Sequence, residues 1–420
     1  MARREYFQKI NTWDSLAKLI LLSLAVLQIT RWIILPQYMD IYYHLLSAWG
    51  FNQAGGYAGW DFWQYSPLGR VNIYPPFFHI LLAFLMKLGF GPVILAKLFE
   101  TLAPIMFLIV LWRFVRNNYS QALAFFTLVA LGSAFTFYLS LINHLPSTLA
   151  LIFGLLAFDQ IFKQNVMRAA IFLTLCFYTH IGVSWFLGLT LVFYLLGDSQ
   201  YRKSVFLILL LTAVLALPIL VKQISALGLV SVKGSNLGEK FFSQIKIIDY
   251  FLAMGGLIFA LKAKGKYNLF VCLFFASFIF LTYPYRFFSA EGYLPVIFLS
   301  AVFLLNLWGK CQARAGLKKI FVLAVFFLLF ASPTLSLSKP AQRWGVWGGL
   351  RERRGCIRWQ RRRLCGPCRG SQHLHSLIRR ALRWRTGRAR SRLRTGHPRA
   401  GGLFRSALWA GVVECGRHQR

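Results

Sequence analysis

Two stretches of this 420-residue chain carry side chains able to move a proton or hold a phosphate. The first is Asp40-Ile41-Tyr42-Tyr43-His44, which follows directly on an apolar run. On a helix, His44 falls one turn after Asp40 on the same face. A carboxylate held at a lipid–water boundary can act as a general base or a metal ligand. The plainer reading is a cap on a short interfacial helix, where Asp is common. The second stretch runs from Gly59 to Pro76 and holds Trp60-Asp61-Phe62-Trp63 and Ser66-Pro67-Leu68-Gly69-Arg70-Val71. Its aromatics suit a membrane interface, Pro67 and Gly69 enforce turns, and the Arg70 fork suits phosphate. An aromatic belt with a turn explains the same residues without chemistry. His79 follows Pro75-Pro76, where it can face a lipid phosphate.

The elements that must position these residues are membrane helices. Hydrophobic residues make up 57% of the chain and charged ones 14%, with a mean hydropathy of +0.55. Soluble domains carry roughly a quarter charged residues, so this composition argues against a soluble enzyme. Apolar segments lie near 16–36, 92–113, 120–141, 146–162, 168–183, 185–197, 204–222, 247–262, 268–283, 292–308 and 319–337. The stretch 168–197 has no polar divider. Splitting it near Thr179-His180-Ile181-Gly182 puts the basic Lys262, Lys264 and Lys266 on the same side as the N-terminus, as the positive-inside rule requires. The expectation is an all-α polytopic membrane protein of about eleven transmembrane helices, over residues 1–338. Met1–Lys9 is basic and leads into an uncleaved signal anchor. A long external loop spans 37–91, and its end, Tyr74–Phe90, is too short to span and reads as a surface or re-entrant helix. Further external loops cover 223–246 and 283–292.

The pattern Asp-x-x-Tyr-His, then Trp-Asp, then Tyr-Ser-Pro-Leu-Gly-Arg-Val and Tyr-Pro resembles the first external loop of the oligosaccharyltransferase catalytic subunit. That subunit is a GT-C polyprenyl-phosphate-sugar glycosyltransferase. Ala103-Pro104, Phe177-Tyr178, Ser184-Trp185 and Tyr285-Arg286-Phe287 extend the likeness over roughly 13–337. The resemblance implies a GT-C-like fold, Asp40 as the active-site carboxylate, with His44 and Asp61 nearby, and Arg70 and Arg286 at the donor's phosphate. His79 and His144 become possible substrate contacts. The implied partners are a polyprenyl-linked sugar donor, a glycan, lipid or protein acceptor, and the bilayer, with the site on the outer face of the cell membrane. The chain also departs from the pattern. Leu46 stands where the family has an Arg. The loop Leu141-Ile142-Asn143-His144-Leu145-Pro146 lacks the acids that help bind a divalent metal, and the Trp-Trp-Asp-Tyr-Gly motif is absent. These departures favour a metal-independent transfer to a hydroxyl, with no cofactor. A transporter or flippase of lipid-linked sugars, or a truncated inactive relative, is the rival reading.

Other residues have plainer expectations. Lys97 and Glu100 are spaced to form an ion pair on one helix face. His180 reads as a satisfied histidine of the bundle, and Glu239, Asp249 and Glu291 as solvated external acids. Residues 341–420 carry 21 arginines and no lysine. Their lack of periodicity predicts a disordered tail, 339–420, of doubtful origin, most economically a frame-shifted or misassembled extension. Cys365-Gly366-Pro367-Cys368 there lacks the strand–helix context of a redox motif. An external tail also argues against nucleic acid as a partner.

Overall fold

The structure is a computed structural model and describes residues 2–37, 40–63, 69–225, 247–263, 265–312 and 316–325. Helix α1 (Ala2–Thr30) ends in a 3-10 turn, Arg31–Ile33. The first loop then holds α2 (Asp40–Gln53), a ribbon of β1 (Trp60–Asp61) and β2 (Arg70–Val71), and α3 (Phe77–Lys87). The bundle continues with α4 (Pro92–Asn118), α5 (Gln121–Ser133), α6 (Phe135–Asn143), α7 (Leu145–Phe162), α8 (Val166–Thr179) and α9 (Ile181–Gly197). It is completed by α10 (Arg202–Leu215), α11 (Leu217–Ser225), α12 (Ile247–Lys262), α13 (Asn268–Ser277), α14 (Pro284–Ser289) and α15 (Leu294–Cys311).

Helix boundaries follow from local chemistry. Pro92 opens α4 behind an extended Gly91, where its missing N–H costs no helical hydrogen bond. Ser120 caps α5 by accepting the Leu123 N–H, and Asn165 caps α8 by accepting that of Arg168. Helices α10 and α11 meet at a 68° bend just before Pro218, and α5 and α6 at an 82° bend at Ala134. The break inside 168–197 falls at His180, whose extended backbone separates α8 from α9.

Packing is dominated by aromatic and aliphatic side chains shed from every helix of the bundle. A second apolar cluster lies under the first loop. Ile41, Leu45 and Phe51 of α2 and Phe78 and Leu82 of α3 close over Leu95 and Ala96 of α4. The loop helices are thereby fixed to the bundle by burial, at roughly 1.5–3 kcal/mol for each large side chain.

The structure corrects several expectations. Among the described residues, four helices are long and apolar enough to cross a membrane: Thr12–Ile33, Pro92–Asn118, Leu145–Phe162 and Glu291–Cys311. Counting each bent pair as one span gives up to six, so the expected count of eleven is not confirmed. Among the described residues Phe77–Lys87, Val166–Thr179, Ile181–Gly197 and Asn268–Leu281 are shorter apolar helices, below the length a perpendicular crossing needs. Most of the expected segment 319–337 lies outside the described residues. Asp249 and Glu291 are buried, not solvated, because α12 and the turn before α15 pack into the bundle. Asp249 accepts a short hydrogen bond from the Tyr293 hydroxyl. Lys97 sets its ammonium over the Trp32 ring, while the Glu100 carboxylate accepts the Gln37 N–H at 3.0 Å. Glu239 and the whole Arg-rich tail lie outside the described residues.

Candidate functional site

The chemistry gathers where helices break. Asp40 opens α2, His144 sits between α6 and α7, His180 between α8 and α9, and Tyr285 and Arg286 lie on the short α14. Asp40 Oδ2 is 2.7 Å from His144 Nδ1. The other ring nitrogen, His144 Nε2, is 3.0 Å from the Tyr285 hydroxyl. A carboxylate against Nδ1 favours the tautomer with hydrogen there, leaving the Nε2 lone pair to accept from Tyr285. Asp40 keeps 46% of its side chain exposed and His144 20%, so this pair is the open part of the cluster.

Arg286 is the cationic part. Its Nη1 donates to Glu291 Oε1 at 2.7 Å and lies 3.1 Å from His180 Nε2. Glu291 is 1% exposed, while about a quarter of the Arg286 side chain reaches solvent. The buried carboxylate therefore aims the guanidinium, and its second oxygen, Oε2, has no hydrogen-bond partner. Such an arrangement is costly to bury and pays only through the charge it fixes in place. The Tyr74 ring lies 6.3 Å from that of His180 and 5.3 Å from that of His44, linking the loop to the bundle.

His44 does not join Asp40. It is buried and shares a 2.8 Å hydrogen bond, Nδ1 to Nε2, with His79 of α3. Burial, with help from His79 and His144, holds the His44 imidazole well below its ordinary pKa. Burial alone pushes His79 down to about 3. The two rings join α2 to α3, and the structure sets His44 beside His79 and not beside Asp40. Asp61 and Arg70 face one another across the ribbon, with Asp61 buried and Arg70 exposed.

Of the residues singled out in the sequence, Asp40, His144 and Arg286 come together in this cluster. Tyr285, His180 and Glu291 complete it. Tyr285 was legible only as the neighbour of Arg286. The Arg286–Glu291 pairing depends on the turn at Glu291–Tyr293, which no helical spacing encodes. For a divalent metal the cluster offers two carboxylates and two imidazoles, but Asp40 is already bonded to His144, and Glu291 and His180 are engaged with Arg286. Among the described residues no group of three or more His, Cys, Asp or Glu assembles. This donor set does not fit the metal implied by the family resemblance, and no step below passes through one.

The fold and site together define a helical protein with membrane-length apolar helices and a polar cluster at its helix breaks. No protein-family model matches the chain, and neither does any curated protein. Among solved structures it is similar to the archaeal oligosaccharyltransferase AglB from Archaeoglobus fulgidus, determined in complex with an inhibitory peptide and a dolichol-phosphate. The identity is 13% and the TM-score 0.42, over 75% of this chain and 54% of that one. The chain thus spans about half the length of that protein.

Proposed function

We propose that the chain is a membrane glycosyltransferase that moves a sugar from a polyprenyl-phosphate-linked donor to an acceptor hydroxyl on the outer face of the cell membrane. The observation that carries this reading is a half-exposed carboxylate, braced by His144, in the same cluster as an Arg aimed by a buried acid. Oδ2 of Asp40 is committed to His144, so Oδ1 is the atom that takes the acceptor's proton. The acceptor oxygen bonds to the anomeric carbon as the bond from that carbon to the donor phosphate breaks. The polyprenyl phosphate leaves with the electron pair, and Arg286 stabilises its growing negative charge. Arg70, exposed on the ribbon, is a further contact for the phosphate as the donor approaches. The bilayer holds the donor's lipid throughout, so only the sugar changes hands.

The test is transfer in proteoliposomes from a lipid-linked sugar to a glycan or lipid acceptor. Asp40→Asn keeps shape and hydrogen bonding but removes the base, and a positioned base contributes about a hundredfold to ten-thousandfold. Transfer should fall by that order with donor binding retained. Arg286→Ala should instead weaken donor capture by roughly ten- to a hundredfold, the worth of a charge-assisted contact. Chelation of divalent metal should leave turnover unchanged. Full activity in Asp40→Asn refutes the base assignment, and loss of activity on chelation refutes the metal-free mechanism.

A further inference from the structure

His180 faces more donors than it can serve. Its Nδ1 lies 3.1 Å from the Val183 N–H, and its Nε2 lies 3.1 Å from Arg286 Nη1. A neutral imidazole has one lone pair and one N–H of its own. It can therefore accept from one of these donors, and its own proton must point at the other. The imidazolium has no lone pair and fits neither.

What else each donor can reach decides the tautomer. Val183 is fully buried, and its N–H belongs to the first turn of α9, where no helical carbonyl is available. The Nδ1 lone pair is what satisfies it. Arg286, on the other side, reaches solvent and has other N–H groups. The ring proton consequently sits on Nε2, directed at the same gap as Arg286 Nη1. Two N–H groups set 3.1 Å apart call for an acceptor beside them that both can reach.

Gly182 supplies an independent observation. A Cβ at this position would lie 3.3 Å from Arg286 Nη1, 3.4 Å from His180 Cε1 and 3.5 Å from Phe280 Cε1. The missing side chain leaves open the space beside both donors. Glu291 adds a reason for a second donor. It already offsets the Arg286 charge, so the guanidinium alone is a weakened anion trap.

We propose that His180 is a phosphate-binding residue, its Nε2–H acting with Arg286 on one phosphate oxygen while Gly182 keeps that space open. The proposal rests on the reading of Arg286 as a phosphate ligand. A lipid-linked phosphate and free inorganic phosphate share the required chemistry.

The experiment titrates the full chain in detergent micelles with a short-chain polyprenyl phosphate and, separately, with inorganic phosphate. Binding is read by phosphorus NMR and folding by thermal melting. His180→Asn keeps a strong helix cap for Val183 but is too short to present the second donor. It should melt like the parent and bind about tenfold or more weakly. Gly182→Ala, which fills the gap, should also weaken binding, and it decides the matter if His180→Asn fails to fold. Arg286→Gln reports on the underlying reading. If Arg286→Gln weakens binding and both other variants bind normally, the His180 assignment is overturned alone. If none of the three changes binding, the phosphate reading of Arg286 falls as well. Displacement of the polyprenyl phosphate by an equal concentration of inorganic phosphate would support the donor pair as a free-phosphate site. Its retention would support the pair as a headgroup site.

Discussion

The buried His44–His79 pair makes stability depend on pH in a direction that can be worked out. Both rings are shielded from water, and His79 Nδ1 has no partner at all. An orphaned N–H costs more than an orphaned lone pair, so the hydrogen sits on His79 Nε2 and is donated to His44 Nδ1. Protonating either ring would place a charge in a site shielded from water. The folded-state pKa values are thus depressed, that of His79 from 6.5 to about 3. Below the unfolded value the unfolded chain binds protons that the folded chain refuses. Stability is therefore complete above that value and drains away as the pH falls towards the folded value. Each group that stays neutral costs about 1.4 kcal/mol per pH unit. Between about pH 6.5 and pH 5 the loss from His79 is about 1.7 kcal/mol, and His44 steepens it in the same direction. The assay is thermal melting in detergent micelles from about pH 7.5 down to about pH 5, on the parent and on His44→Leu/His79→Leu. Replacing both partners by apolar side chains should be nearly neutral at the upper pH and should flatten the slope. A double variant that keeps the parental slope would refute the assignment of that slope to these two rings.

Three further outcomes follow from packing, charge and topology. Gly256→Ala places a methyl against the Leu299 backbone carbonyl, whereas Gly255→Ala meets the Phe303 side chain. The first should destabilise by about 2–3 kcal/mol and the second by less, since a ring can turn and a helix backbone cannot; equal melting shifts would contradict the packing. Glu291→Gln leaves Arg286 without its buried counter-charge and should cost about 2 kcal/mol, less than a fully buried pair because the Arg reaches solvent; unaltered melting would show that the pair aims nothing. A topology reporter fused at Gly265 should be cytoplasmic because Lys262 and Lys266 flank it; a reporter active only outside would invert the later half of the bundle.

The sequence made the helical, apolar character of the chain plain, along with the break at Thr179–Gly182, because hydropathy and one His-Ile-Gly interruption encode both locally. It singled out Asp40 and Arg286 by pattern. It did not reveal that Asp40 leans on His144, since that contact joins the start of α2 to a bend between α6 and α7. Periodicity within one helix says nothing of such a pairing. Nor did the sequence reveal the partner of His44, for a related reason. Asp40 and His44 share a helical face in projection, but α3 arrives beside α2 with His79 and takes the imidazole into the interior. Helix lengths failed where breaks intervened: an apolar run looks continuous until a residue such as Ala134 or Ala216 leaves helical conformation.

Those breaks explain why the cluster is where it is. Each interrupted helix frees backbone N–H and C=O groups that hydrocarbon cannot satisfy, so irregular backbone at membrane depth survives only when buried in protein or lining a wet cavity. Here one freed group is met by a side chain that also does something else. His180 takes the Val183 N–H on one nitrogen and turns the other towards Arg286. His144 stands at the bend between α6 and α7, where its ring caps no backbone N–H and instead braces Asp40. At the α8–α9 break the requirement to satisfy a broken helix and the requirement to hold a polar group rigidly are met by the same imidazole. A change that restores continuous helix at the α8–α9 break should therefore remove chemistry and not merely shift it. A continuous helix has no orphaned N–H to fix the tautomer, and an imidazole whose tautomer is not fixed cannot hold its partner in one position.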